Sequence, residues 1–114
     1  MSIQLAHVTF DCTDPKELAG FWSRVLDTPV DEGANEFFAT IDDHVESRPS
    51  WFFIKVPEGK NVKNRVHVDL KSDDRGREVA RLVELGASRL SDHDEWGAVW
   101  TILTDPEGNE FCLG

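Results

Sequence analysis

The sequence has no tyrosine, one methionine and only two cysteines among its 114 residues. Cys12 and Cys112 stand near opposite ends of the chain and form no CxxC pair, so their spacing matches no structural zinc pattern. Two such distant cysteines in an intracellular chain are expected to stay reduced thiols and not to form a disulfide. The chain is therefore expected to be stabilised by a single apolar core.

Long hydrophobic runs are also absent. No apolar stretch approaches the roughly 20 residues that a membrane helix requires. The first residues lack a basic segment followed by an apolar run, so we expect a cytoplasmic protein with no membrane partner. Hydrophobic residues at 39% and charged residues at 30% are typical of a globular chain, and the length fits one domain over residues 1–114.

Basic residues are few. The sequence contains twelve lysines and arginines and 22 acidic residues, which gives a formal net charge of −10. Because phosphate backbones are bound by basic patches, this balance excludes nucleic acid as a partner. It is compatible with a cationic ligand, although net charge mainly reports solubility.

The main positive feature is an approximate repeat with a period of about 60 residues. Residues 6–11 and 66–71 both alternate as strands do, and each is followed by a polar turn and a helix. The first helix is predicted to begin near Asp14, an N-cap followed by Pro15, and the second near Asp73 or Asp74, ending at Gly86. Further strands are predicted at 28–30, 36–41, 51–56, 88–90, 98–104 and 110–113.

Each half therefore has the predicted order β-α-β-β-β. This predicts an α+β fold of two tandem βαβββ modules, residues 1–57 and 64–114, joined by a linker over 58–63. A Rossmann fold is disfavoured because it would alternate strand and helix throughout.

Three segments, residues 6–15, 65–70 and 105–113, resemble the vicinal oxygen chelate superfamily. This superfamily includes glyoxalases, extradiol dioxygenases and bleomycin-resistance proteins. The last segment carries the turn Asp-Pro-Glu-Gly-Asn followed by a short apolar strand. The resemblance implies the glyoxalase/bleomycin resistance/dihydroxybiphenyl dioxygenase fold, in which the modules form a cup-shaped sheet around a cavity. It also implies a homodimer.

The resemblance further implies four metal-ligand positions. His7 and His67 match the two positions on the first strands. The position on the last strand of the second module holds Cys112, where the family has a glutamate, and that of the first module falls near Phe53. Glu110 is the nearest carboxylate and shares a strand face with Cys112.

Two ligand sets remain open if a metal is bound. His7, His67 and Glu110 would suit Fe, Mn or Ni, whereas Cys112 as third ligand would give a softer set for Zn or copper. Such a metal would polarise vicinal oxygens of a substrate in a lyase, isomerase or dioxygenase. The loss of two family ligands favours a protein without a resident metal.

Other side chains near these positions have alternative roles. Asp11 and Asp69, like Glu110, would serve as a base or bind a ligand amine if they face inward, or would be solvated at the strand ends. Cys112 is either a small buried hydrophobe or, beside a histidine, a reactive thiol. His93 is predicted to lie in a polar loop.

The sequence thus predicts a small-molecule binding protein with an aromatic-lined cavity and a planar or cationic ligand, comparable to bleomycin-resistance relatives that sequester a drug. The alternatives are a metal-dependent lyase, isomerase or dioxygenase, and a regulatory domain with a vestigial cavity. The candidate cavity residues are His7, Asp11, Phe53, His67, Asp69, Trp100, Glu110 and Cys112.

Overall fold

A computed structural model describes residues 2–114, which fold into two compact units that divide after Gly59. Each unit contains one sheet and one helix. The predicted α+β fold is confirmed. Neither helix of the described residues has the length and apolarity that a membrane crossing requires.

The first unit contains three strands and one helix. Its sheet has the order β1-β3-β2, with β3 parallel to β1 and antiparallel to β2. The strand predicted at 28–30 is reduced to an isolated bridge between Val30 and Ile41, because Pro29 has no N–H to give to a ladder. The elements are β1 (His7–Cys12), α1 (Pro15–Leu26), β2 (Phe38–Ile41) and β3 (Ser50–Lys55).

The second unit contains four strands and one helix. Its sheet has the order β4-β7-β6-β5, in which only the β4–β7 pair is parallel. As in the first unit, the strand before the helix lies parallel to the last strand, which is the structural form of the sequence repeat. The elements are β4 (Val68–Leu70), α2 (Arg75–Leu85), β5 (Ser88–Glu95), β6 (Ala98–Thr104) and β7 (Glu110–Leu113).

Both helices begin where local capping predicts. The Asp14 carboxylate accepts a hydrogen bond from the Glu17 amide at 3.2 Å, and Pro15 is the first residue of the helix. Asp74 caps α2 in the same way, and Gly86 ends that helix with φ of 123°. The helix starts predicted from sequence are confirmed because all the groups that fix them lie within a few residues.

Each sheet packs one face against its helix. In the first unit the core includes Trp22 of α1 and Phe53 of β3, and in the second it includes Leu103 and Phe111, all essentially inaccessible to solvent. Side chains alternate along strands, so the intervening residues face the other way. We call the residues Asp69, His93, Trp100, Ile102 and Cys112 the open face of the second unit; the strand register places them together on the side opposite α2.

Candidate functional site

Three rings are stacked on the open face of the second unit. The His93 ring lies 5.3 Å from that of Trp100 with 15° between their planes, and Trp100 lies 6.0 Å from Trp96 with 14° between planes. His93 Nε2 is hydrogen bonded to Ser91 Oγ at 2.8 Å, which fixes the orientation of the imidazole. We call His93, Trp100 and Trp96 the ring ladder.

Trp96 is held at the end of this ladder by an unusual backbone. It forms with Gly97 the two-residue turn between β5 and β6, and both residues have positive φ, 51° and 76°. Hairpin turns of this kind require positive φ, which is uncommon for a bulky side chain. Trp96 as a whole residue is also 89% exposed. Left-handed backbone at a non-glycine residue is found most often at functional sites.

Sequence reasoning missed two members of the ladder. The sequence predicts that this strand ends at residue 90 and that His93 lies in a polar loop; both predictions are wrong, since the strand continues to Glu95. The strand is almost entirely polar, so it lacks the apolar alternation on which strand prediction depends. Its pairing with β6 supplies the stability instead. The Trp96-Gly97 pair was the signal in the sequence that could have indicated a hairpin between β5 and β6.

A thiol, an imidazole and a carboxylate converge beside the ladder on the same sheet. Asp69 and Cys112 are register partners across the β4–β7 pair, and His67 precedes β4. His67 Nδ1 lies 3.0 Å from Asp69 Oδ1 and 3.9 Å from Cys112 Sγ. One ligand atom from each of the three lies within 4.8 Å of the others. We call these three residues the His67 cluster.

The surroundings of Cys112 disfavour its thiolate form. Burial raises the pKa of the Cys112 thiol, and the charge of Asp69 and a hydrogen bond to its carboxylate raise it further, while Lys63 opposes them. Asp69 and Cys112 also approach the same ring nitrogen of His67, so the imidazole cannot relay a proton from thiol to carboxylate as in a catalytic triad. This geometry argues against the reactive-thiol alternative.

Asp69→Asn should make Cys112 more reactive in metal-free protein, because removing the negative charge removes a cause of the raised thiol pKa. The measurement is the pH dependence of Cys112 alkylation by iodoacetamide in the presence of a chelator. Cys12 gives the background rate, since it is buried and donates to the Ile54 carbonyl. An unchanged or higher apparent pKa in the variant would contradict the electrostatic explanation.

Glu110, the predicted third metal ligand, is engaged elsewhere. Its carboxylate accepts hydrogen bonds from the Asn64 amide at 3.0 Å and from Lys60 Nζ at 3.1 Å. Burial acts to raise the pKa of Glu110, but these contacts outweigh it and leave the pKa below its usual value. Glu110 does not belong to the ligand group formed by His67, Asp69 and Cys112. The ligand set with Glu110 is therefore not assembled in the second unit.

The first unit corrects the position predicted near Phe53. Phe53 is fully buried, and its ring lies 5.5 Å from that of Phe10 on the helix side. The residue equivalent to Cys112 is Phe52, because it pairs with Thr9 as Cys112 pairs with Asp69. Because residues 51–53 are all aromatic, the sequence does not show which of them faces the helix. The predicted last-strand ligand position is therefore one residue too late.

His7 and Phe52 form a second aromatic contact. Their ring centroids are 3.8 Å apart with 6° between planes, and Phe38 meets Phe52 edge-on at 5.2 Å. Asp11, the remaining candidate in this unit, is exposed near the end of β1 beside Ile54. The histidine on the first strand thus stacks on the residue that occupies the last-strand ligand position.

The family metal positions do not fit a hard cation in this chain. Phe52 offers no ligand atom, and Cys112 offers a sulfur where the resemblance implies a carboxylate oxygen. Fe and Mn centres of this kind use carboxylate and imidazole ligands, whereas thiolates select softer metals. The donor set therefore departs from the family pattern at two of its four positions.

Comparisons with known proteins agree on the family. The model of the glyoxalase-like domain family matches residues 7–114. No curated protein matches the sequence. Similar solved structures include a glyoxalase/bleomycin resistance protein/dioxygenase family enzyme from Burkholderia phytofirmans, with a TM-score of 0.79, 16% identity and coverage of 97% of each chain.

Two further structures have the same fold. A possible glyoxalase from Bacillus cereus has a TM-score of 0.73 at 16% identity, with 98% of each chain covered. A mutant of the fosfomycin resistance protein FosX from Listeria monocytogenes, complexed with Mn(II) and a dihydroxypropylphosphonic acid, has a TM-score of 0.78 at 11% identity, covering 99% of this chain and 90% of that one. The chain belongs to the glyoxalase-like domain family.

Proposed function

We propose that this protein binds a small planar molecule, preferentially a cationic one, on the open face of its second unit and without a family-type metal. The observation that carries the proposal is the ring ladder, in which three rings lie within 15° of parallel from one to the next. A flat ligand would extend this stack by one ring.

The energetics of the ladder favour such a ligand. Trp96 ends the stack and is 89% exposed, so a planar ligand would bury apolar surface that now faces water. The ladder is already ordered by its turn and by the Ser91–His93 hydrogen bond, which lowers the entropic cost of binding.

Charge supports a cationic ligand over an anionic one. The chain carries a formal net charge of −10, and the Asp69 side chain on the same open face is 72% exposed. A cation stacked on an indole also gains from the negative face of the ring. Lys60 is paired with Glu110, whereas the positive charge of Lys63 acts on Cys112, the register partner of Asp69.

A metal-dependent lyase, isomerase or dioxygenase is less well supported. FosX binds Mn(II), and the Burkholderia relative belongs to a family that includes dioxygenases. In this chain Glu110 is held by Lys60 and Asn64, and Phe52 occupies a ligand position. No reaction step is therefore assigned to a Mn or Fe centre.

Trp96→Ala should weaken binding of a planar cation by about tenfold, which corresponds to about 1.4 kcal/mol and lies within the usual range for an exposed stacking residue. The measurement is a calorimetric titration with proflavine, alongside a neutral planar flavone. Trp96→Phe should retain most of the affinity because it keeps an aromatic face. The fold should be unaffected, since the side chain is almost fully exposed.

Val99→Ala is the matched control. Val99 lies on β6 beside Trp100 but on the opposite face of the sheet, and it is 45% exposed. Its loss should leave proflavine affinity unchanged. Equal weakening by Trp96→Ala and Val99→Ala, or no binding of either probe to the unmodified protein, would overturn the proposal.

A further inference from the structure

We infer that the His67 cluster is a binding site for a thiophilic divalent cation, with Zn²⁺ as the physiological candidate, held by His67 Nδ1, a carboxylate oxygen of Asp69 and Cys112 Sγ. All three ligands come from the second unit. The set includes Asp69, which the family resemblance does not supply as a ligand, and it excludes Glu110.

The geometry of the cluster suits a small tetrahedral ion. Zinc lies about 2.0–2.3 Å from its nitrogen, oxygen and sulfur ligands, so ligand atoms around it are separated by roughly 3.3–3.8 Å. The His67–Asp69 separation of 3.0 Å is slightly shorter than that range, and the His67–Cys112 separation of 3.9 Å is slightly longer. Small side-chain rotations would bring all three atoms to coordinating distance.

The backbone already holds the ligands in place. The parallel β4–β7 register sets Asp69 directly opposite Cys112, and His67 lies two residues earlier on the same side. The Asp105–Asn109 turn anchors the start of β7 through hydrogen bonds to the Asp105 carboxylate. Metal binding would then replace the proton on the thiol and any proton on Nδ1 without rearranging the sheet.

The surroundings leave the cluster accessible, although the positive charge of Lys63 acts on Cys112. The side chains of His67 and Asp69 are 38% and 72% exposed, so an ion has a path to the ligands. Lys60 Nζ lies 3.1 Å from Glu110 Oε2, so the Lys60 ammonium forms its ion pair with Glu110. Three protein ligands also leave a fourth position for water or another ligand, as in zinc sites that are not purely structural.

The chemistry of the ligands predicts which metals bind. A thiolate with an imidazole and one carboxylate favours Zn²⁺ and Co²⁺ over Mg²⁺ or Mn²⁺. The inference rests on His67, Asp69 and Cys112 and not on the ring ladder, so it can fail while stacking on Trp96 still occurs. It shares with the proposed function only Asp69, whose charge a bound ion would neutralise.

The test is a Co²⁺ titration of the full-length, tag-free protein after chelator treatment, with a phosphine reductant. One equivalent of Co²⁺ should produce a near-ultraviolet thiolate-to-cobalt charge-transfer band, and Zn²⁺ should abolish it, whereas excess Mg²⁺ or Mn²⁺ should not. Absence of the band, or displacement by Mn²⁺ as readily as by Zn²⁺, would overturn the inference.

Variants locate the site. Cys112→Ser should remove the charge-transfer band and weaken Zn²⁺ binding at least tenfold, and Asp69→Asn should weaken it several-fold while the band persists. Cys12→Ser is the control, because Cys12 lies buried in the first unit. Loss of the band in Cys12→Ser, or its survival in Cys112→Ser, would show that the thiolate comes from elsewhere. Circular dichroism of each variant checks that the fold is retained.

Discussion

Phe53→Ala is expected to lower the free energy of unfolding by about 3–5 kcal/mol, the usual cost of truncating a buried aromatic residue to alanine. Phe53 has no solvent exposure, and its ring packs 5.5 Å from that of Phe10. Its loss would leave a cavity between the sheet of the first unit and α1. Urea denaturation followed by tryptophan fluorescence measures the change.

Phe52→Ala is the matched comparison, since it makes the same substitution one residue earlier on the opposite face. Phe52 is only half-buried and stacks on His7. We expect its loss to cost about 1 kcal/mol, close to the average for a point substitution. A larger loss for Phe52→Ala than for Phe53→Ala would mean that Phe53 faces away from the helix, as the sequence had suggested.

Asp105→Ala is expected to cost about 3 kcal/mol or more. The Asp105 carboxylate is 3% exposed and accepts hydrogen bonds from the Glu107 amide and from both the amide and the side chain of Asn109. Removing it leaves several donors unsatisfied in a buried turn, and each costs about 1–3 kcal/mol.

The same unfolding assay checks this prediction, with Asp94→Ala as the control. Asp94 is an exposed aspartate in the same unit, so its replacement should change stability by less than about 0.5 kcal/mol. If the two variants were equally stable, the Asp105 carboxylate would not be what holds the turn. Because the turn leads into β7, Asp105→Ala should also weaken Co²⁺ binding at Cys112.

Features set by neighbouring residues could be predicted from the sequence. The Asp14–Pro15 start of α1 is an example, because a cap depends only on the first turn. The sequence repeat likewise predicted the α+β fold. In the structure, the strands that begin at residues 7 and 68 each lie parallel to the last strand of their unit. Homodimer formation and a cytoplasmic location stay predictions.

Features set by distant residues could not be predicted. Glu110 looked available as a ligand because its partner Lys60 lies 50 positions away in the chain. His93 looked like a loop residue because its strand is polar and depends on pairing with β6. The convergence of Asp69 with Cys112 depends on the β4–β7 register, which no local pattern specifies.

The most direct test of planar-ligand binding on the open face uses the four indole N–H signals in a ¹⁵N NMR spectrum of the full chain. Trp96 and Trp100 belong to the ring ladder, whereas Trp22 and Trp51 contact each other in the first unit. Adding proflavine is expected to shift the signals of Trp96 and Trp100 and leave those of Trp22 and Trp51 in place. Shifts confined to Trp22 and Trp51, or no shift of any indole signal, would contradict the proposed binding site.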